Sequence, residues 1–130
     1  MNYAYTSLLA TDDYLYGVLG LCASLRNVGT AYPFHLMVTD NVSQDSLDIL
    51  NQCDITYSIF PRKDFQHPNT NYLVTFNKFY ICELKQYDEV CFLDADVIVT
   101  RNIDHVFNYS KPAFFTVFQD YLSTHVFVLA

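Results

Sequence analysis

The 130-residue chain has the length of one ordinary domain, and 52% of its residues are hydrophobic, which is enough for a core and argues against a disordered chain. Its formal net charge of −7 argues against a nucleic-acid partner, because phosphate contacts need a basic surface. No apolar run approaches the roughly 20 residues of a membrane span. No basic segment leads into an apolar one at the N-terminus, so we expect a cytoplasmic protein.

The cysteine pattern points to the same compartment. Cys22, Cys53, Cys82 and Cys91 lie far apart without C-x-x-C spacing, on segments predicted to be helical or buried. We therefore predict reduced core thiols rather than zinc ligands or disulfides.

Strand-like and helix-like hydrophobic patterns alternate along the chain. One helix is predicted at residues 13–27, up to the stop signal Gly29, and a second begins after the N-cap residue Ser43. A third is predicted at residues 75–86, followed later by one short helical turn at 102–107. Strands are predicted at residues 3–10, 33–39, 55–60, 90–93, 113–118 and 126–129. The polar residues 61–74 are predicted to form a loop.

This alternation predicts an α/β fold with a mostly parallel sheet flanked by helices, built as one domain over residues 1–130. Ligands of such sheets bind at the carboxyl ends of the strands. Two acidic segments fall at predicted strand ends, Thr11-Asp12-Asp13 and Asp94-Ala95-Asp96. The sequence therefore predicts a ligand site at this edge of the sheet.

The pair Asp94 and Asp96 is the most informative feature, because two carboxylates interrupt an apolar, strand-forming run at residues 90–99. Buried charges are costly unless they are paired or bound to a metal. Carboxylates at this spacing can share a Mg²⁺ or Mn²⁺ ion that also binds a phosphate ester. The alternative is a turn in which each carboxylate caps backbone N–H groups.

Several motifs, in this order and at this spacing, resemble the nucleotide-sugar-binding part of family 8 glycosyltransferases, the group of glycogenin and the galactinol synthases. They are residues 8–14 followed by Gly17, residues 76–79 (Phe-Asn-Lys-Phe), residues 92–96 followed by 102–104, and residues 126–129. The resemblance covers almost the whole chain. It implies the GT-A fold, a Rossmann-like sheet, here in truncated form.

The resemblance also implies retaining hexose transfer from a UDP-sugar with Mn²⁺ as cofactor, Mg²⁺ being the alternative. Asp94 and Asp96 would hold the metal against the diphosphate, with Ala95 between them in the donor-binding motif. Lys78 would face the phosphates. Tyr14 would stack on uracil, and backbone groups of Leu8, Ala10 and Thr11 would line the base and ribose. The acceptor stays open as a sugar, a polyol or a protein, and so does homo-oligomerisation.

The chain also departs from the family pattern. It ends at Ala130, before the segment H-x-x-G-x-x-K-P-W and the acidic residues that meet donor sugar and acceptor in family 8 enzymes. It also has His125 where the family commonly has Gly, and this histidine is a candidate third ligand of the cation. We expect the acceptor part to be lacking and the isolated chain to have weak activity or none, and no catalytic residue is assigned.

Two other interpretations stay open at this point. The first is a non-catalytic module with the same half-fold that binds UDP and Mn²⁺ weakly. The second is a phosphoacceptor receiver domain, for which Asp12-Asp13 and Lys111-Pro112 are suggestive but Asp94 comes a strand too late. The other histidines, His35, His67 and His105, are explained by packing, solvent exposure or a turn.

Overall fold

In the computed structural model, which describes residues 1–63, 75–109, 111, 113–115 and 126–129, strands and helices alternate along the chain. The strands are β1 (Tyr3–Thr6), β2 (Leu8–Leu9), β3 (His35–Thr39), β4 (Thr56–Phe60), β5 (Glu89–Leu93), β6 (Ala113–Phe115) and β7 (Val126–Leu129). The α-helices are α1 (Leu15–Asn27) and α2 (Gln44–Gln52), and 3₁₀ helices occur at Asp12–Tyr14, Thr75–Glu83 and Asp104–Asn108.

The first strand changes partners at Ser7. Before this residue β1 pairs in parallel with β5, where Thr6 lies opposite Phe92. After it β2 pairs in parallel with β3, where Leu8 lies opposite Met37, and β3 continues in parallel to β4. A bridge between Tyr5 and Phe34 joins the two groups of strands. The predicted strand at residues 3–10 is therefore two strands, because the backbone at Ser7 serves different neighbours on its two sides.

The far side of the sheet is antiparallel. β7 runs antiparallel to both β5 and β6 and lies between them, giving the order β1-β5-β7-β6. The remaining pairs are parallel, so the predicted α/β architecture with a mostly parallel sheet is confirmed. Of the strand predicted at 113–118, residues 113–115 form β6 and the others lie outside the described residues.

The two α-helices cover one face of the sheet. The buried side chains of α1 recur at helical spacing, at Leu15, Val18, Leu21, Cys22 and Leu25. After this helix Gly29 adopts a φ of +69°, which favours glycine and confirms the predicted stop signal. The predicted N-cap of α2 is also confirmed, since the Ser43 side chain accepts a hydrogen bond from the backbone N–H of Ser46.

The opposite face is covered by the segment predicted as the third helix, and that prediction needs a correction. Thr75–Glu83 forms a 3₁₀ helix rather than an α-helix. Its aromatic and β-branched residues favour an α-helix only weakly. Ile81 in this helix and Leu84 just after it are buried in a cluster with Met37 and Phe92. The Leu84 N–H donates to the Ile81 carbonyl at 3.2 Å, the three-residue hydrogen bond typical of a 3₁₀ helix.

The prediction of core thiols holds for only half of the cysteines. Cys22 and Cys91 are buried, and burial raises the pKa of both thiols, that of Cys91 to about 12. Cys53 and Cys82 are exposed. Cys53 lies just past the end of α2 where the chain turns, and Cys82 follows the buried Ile81 and therefore points away from the core. Neither α1 nor any other helix in the described residues has the length and apolar character needed to cross a membrane.

Candidate functional site

The two acidic segments follow β2 and β5, as the sequence predicts. β1 is a parallel neighbour of β5, and β2 continues in the same direction as β1 after Ser7. The segments that follow Leu9 and Leu93 therefore leave the sheet at the same edge. The beginning of α1 joins them: a Cβ atom added to Gly17 would lie 2.4 Å from the carbonyl oxygen of Ala95. The structure thus brings the Asp94–Asp96 motif against the helix that starts beside Tyr14.

A turn presents the two aspartates. The Val97 N–H donates to the main-chain oxygen of Asp94 at 3.1 Å, so the chain reverses over the motif. Asp94 is half-buried and Asp96 is exposed. One carboxylate thus lies against the protein and the other faces solvent.

Lys78 lies against this turn. Its ammonium is 3.2 Å from Oδ1 of Asp94, and the two side chains are only 18% and 19% exposed. The same ammonium lies 5.3 Å from the centre of the Phe92 ring, within the range of a cation–π contact. The lysine predicted to face phosphates is therefore next to the predicted metal ligand, and it supplies positive charge to a site in an acidic protein.

Asn77 fixes the position of Lys78. It is 2% exposed, and its side chain accepts from the Lys63 N–H at 2.9 Å and donates to the Lys63 carbonyl at 2.7 Å. Tyr80 adds a hydrogen bond to the carbonyl of Pro61 at 2.6 Å. These bonds hold the 3₁₀ helix to the end of β4. The sequence motifs give Asn77 no role of its own, although an amide near the start of a helix, directly before a lysine, is a usable signal.

The predicted nucleotide side of the site consists of Leu8, Ala10, Thr11 and Tyr14. Tyr14 is 59% exposed at the start of α1, so its ring is open to a flat ligand. The Thr11 hydroxyl is buried and has no hydrogen-bond partner among the described residues. The carbonyl of Ala10 already accepts from Asn41 Nδ2 at 3.0 Å, and Leu8 pairs with β3.

Asp12 has a structural role beside this edge. Its Oδ1 accepts from the Ser46 hydroxyl at 2.6 Å and from the N–H and hydroxyl of Ser43 at 3.0 and 2.9 Å. The bonds from Ser46 and Ser43 lower the pKa of Asp12. The carboxylate thus holds the loop after β2 to the N-terminus of α2, where negative charge is favourable.

Asp104, in the motif at residues 102–104, is also structural. It accepts from the Tyr5 hydroxyl at 2.7 Å, the Thr30 hydroxyl at 2.6 Å and the Ala31 N–H at 2.9 Å. Burial raises the pKa of Asp104, but these hydrogen bonds outweigh that effect and lower it overall. This carboxylate joins the chain after the aspartate motif to β1 and to the end of α1.

The donor set at Asp94 and Asp96 fits a hard divalent cation with an incomplete protein shell. Within the described ranges no group of three His, Cys, Asp or Glu residues could hold a metal ion. Mg²⁺ and Mn²⁺ accept carboxylate oxygens and take their remaining ligands from phosphate groups and water. Two carboxylates on an open turn, beside a lysine, are suited to that division of ligands. His125, the candidate third ligand, lies outside the described residues, as does His67.

The remaining histidines and Lys111 take no part at this edge. His105 is exposed in a 3₁₀ helix, and His35 is buried, as expected for turn and packing residues. Lys111 pairs with Glu89 at 3.1 Å. Glu89 begins β5 whereas Asp94 follows its end. Lys111 therefore lies at the other end of β5 from Asp94, which does not support the interpretation as a receiver domain.

Comparison with known proteins gives the same family as the motifs. The family described as Glycosyl transferase family 8 matches residues 5–126. Galactinol synthase 4 of Arabidopsis thaliana is 32% identical over 120 residues, which is 88% of this chain and 36% of that protein. An uncharacterized protein of Acanthamoeba polyphaga mimivirus is 33% identical over 118 residues, 86% of this chain and 42% of that protein. The chain thus spans about two-fifths or less of these curated relatives.

Solved structures confirm the GT-A fold. An active-site mutant of LgtC aligns over 99% of this chain and 57% of its own, with a TM-score of 0.69 and 16% identity. The glycosyltransferase GlyE of Streptococcus pneumoniae TIGR4 aligns over 99% of this chain and 34% of its own, with a TM-score of 0.67 and 17% identity. With the family match over nearly the whole sequence, the chain belongs to glycosyl transferase family 8.

Proposed function

We propose that the chain forms the donor-binding part of a retaining glycosyltransferase that transfers a hexose from a UDP-sugar with the help of Mn²⁺. The observation that carries the proposal is the Asp94–Asp96 turn, with Lys78 at 3.2 Å from Asp94, at the carboxyl edge of the sheet in a family 8 chain. A cation on this turn would neutralise charge on the departing UDP, which is the chemistry that such a metal supplies. Mg²⁺ is the alternative cation.

In this proposal Asp94 and Asp96 hold the cation and orient it toward the diphosphate. Lys78 binds the phosphate oxygens through its ammonium group, which is partly buried beside Asp94. Tyr14 stacks on the uracil ring, and aromatic side chains bind bases in this way because every base has a π-face. Backbone groups of Leu8 and Ala10 and the buried hydroxyl of Thr11 line the base and ribose.

The acceptor is proposed only as a class. Relatives include galactinol synthases, and the proposed acceptor is a polyol, a sugar or a protein. The chain spans 36% of that relative, so the activity of a whole enzyme is itself part of the proposal. A cytoplasmic location and homo-oligomerisation stay predictions.

The proposal is tested with the purified chain and two donors, UDP-glucose and UDP-galactose, in Mn²⁺ and in chelator. We expect Mn²⁺-dependent binding of at least one donor and slow release of UDP from it. Asp94→Asn and Asp96→Asn should lose the Mn²⁺-dependent binding. Asp48→Asn is their charge-matched control: this carboxylate on α2 accepts only a surface hydrogen bond from Gln44 among the bonds described. Binding without any UDP release would favour a non-catalytic module. No binding of either donor with Mn²⁺ would contradict the proposal.

A further inference from the structure

We infer that Lys78 takes the place of the metal ion on Asp94 in the free protein, so that the cation binds Asp94 well only when a nucleotide diphosphate binds with it. The inference rests on the proposed function and deepens it, because it assigns Lys78 a second role. The ion pair with the lysine would keep the Asp94 carboxylate from binding the cation until a diphosphate binds the ammonium.

The contacts of Lys78 carry this inference. Its ammonium lies 3.2 Å from Oδ1 of Asp94, and only about a fifth of either side chain is exposed, at 18% and 19%. The ring of Phe92 lies 5.3 Å from the same ammonium and shields it. Asp96, by contrast, is exposed. Of the two carboxylates that a cation would bridge, the one held against the protein is already balanced by the ammonium of Lys78.

Electrostatics gives the consequence for metal binding. A divalent cation on Asp94 would lie within a few ångströms of the ammonium, and like charges repel strongly in a partly buried site. Mn²⁺ alone must therefore displace Lys78 or bind through Asp96 with little help from Asp94. Both routes predict weak binding of the metal by itself.

A diphosphate changes this balance. Its negative oxygens provide another partner for the ammonium, and Asp94 then becomes available to the cation. Asn77 and Tyr80 hold the backbone beside Lys78 to the end of β4. The ammonium therefore moves from Asp94 to the phosphates by rotation of its side chain, without movement of the backbone. Each ligand should therefore raise the affinity for the other, and by thermodynamic linkage the two factors are equal.

The experiment compares the parent chain with Lys78→Met, which keeps the length of the side chain and removes its charge. Mn²⁺ binding without nucleotide is followed by the electron paramagnetic resonance signal of free Mn²⁺, and UDP binding is measured by calorimetry with and without Mn²⁺. Lys85→Met is the matched control, because Lys85 is 80% exposed beside Glu83, outside the site. Lys78→Arg keeps the charge, and Lys78→Gln replaces the methionine variant if that one does not fold.

We expect the neutral variant to bind Mn²⁺ alone about fivefold more tightly than the parent, to bind UDP alone about fivefold more weakly, and to show a smaller coupling between them, because only the direct contact between cation and phosphate remains. The Lys78→Arg and Lys85→Met variants should keep the coupling. Metal binding that is measurable only in the neutral variant also supports the inference.

Two results overturn it. Unchanged or weaker Mn²⁺ binding by the neutral variant without UDP would show that Lys78 does not compete for Asp94. Undiminished coupling in that variant would show that the lysine does not transmit it. In either case strong coupling in the parent leaves the proposed function standing, whereas absence of UDP binding by the parent, with or without Mn²⁺, removes both.

Discussion

Gly17 and Ala95 approach each other so closely that a Cβ atom on Gly17 would lie 2.4 Å from the carbonyl oxygen of Ala95. The contacted atom belongs to the backbone and cannot rotate away. The absence of a side chain at Gly17 therefore lets the first turns of α1 support the turn that carries Asp94 and Asp96. Gly20, one turn later, meets only the end of the Ile98 side chain, at 3.3 Å.

The first prediction concerns this contact. Gly17→Ala should destabilise the protein by about 1–3 kcal/mol, the usual cost of overpacking, and should weaken Mn²⁺-dependent UDP binding because the aspartate turn must move. Gly20→Ala should be neutral or stabilising by up to about 1 kcal/mol, since alanine favours a helix over glycine and the Ile98 side chain can adjust. Urea unfolding and UDP titration of both variants measure these effects.

Equal behaviour of the two variants would contradict the importance of the contact. If Gly17→Ala is destabilised but binds UDP and Mn²⁺ like the parent, the contact supports the fold and not the site.

The second prediction concerns Tyr14. Tyr14→Ala should weaken UDP binding by about 1–3 kcal/mol, the range for base–aromatic stacking, while Tyr14→Phe should bind like the parent because it keeps the ring. Neither change should lower stability much, since the side chain is 59% exposed. Tyr16→Ala is the control, because Tyr16 lies two residues away and is 79% exposed. Similar loss of UDP affinity in Tyr16→Ala and Tyr14→Ala would speak against a specific stacking role.

The third prediction is a pH dependence of stability. His35 is 5% exposed, its Nε2 lies 2.7 Å from the Ser58 hydroxyl and its Nδ1 lies 2.9 Å from the Tyr87 hydroxyl. Burial lowers the pKa of His35 below its ordinary value of 6.5. The unfolded chain therefore takes up the proton first, so the stabilisation is complete above pH 6.5 and is lost as the pH falls from there toward the folded pKa.

Urea unfolding of the parent should show this fall in stability below about pH 6.5, and His35→Asn should flatten it. His105→Asn, at an exposed histidine, should keep the parent profile. The lowered pKa values of Asp12 and Asp104 act in a separate, more acidic range, because their stabilisation is lost only as the pH falls below their ordinary value of 3.8. A parent stability that stays constant from neutral pH down to about pH 5 would contradict a buried, neutral His35 as the source of this dependence.

Local signals in the sequence predicted much of this fold. The Ser43 cap, the stop at Gly29 and the alternation of strands and helices depend on neighbouring residues, and each of these is confirmed. The sequence predicts a continuous strand at residues 3–10, because nothing in that segment marks Ser7. The break arises from β5 and β3, which come much later in the chain.

In the candidate site, too, contacts between residues far apart in the chain are not visible in the local sequence. The family resemblance predicts that Asp94 and Lys78 belong to one site, but their ion pair depends on the fold of two separate segments. The attachment of Asn77 to Lys63 and that of Asp12 to Ser46 join residues 14 and 34 positions apart. Such hydrogen bonds have no local pattern, so the residues that hold the site in place were found only in three dimensions.

In the proposed function, Asp94 and Asp96 bind a cation together with a UDP group. The most direct test is a calorimetric titration of UDP into the parent, Asp94→Asn and Asp96→Asn, each with Mn²⁺ and with chelator, using Asp48→Asn as control. We predict that Mn²⁺ raises UDP affinity about tenfold or more in the parent and the control, and that either asparagine variant abolishes this gain while remaining folded by circular dichroism. Equal Mn²⁺-dependent gains in the parent and a variant with both aspartates replaced would contradict the claim and leave the motif as a turn.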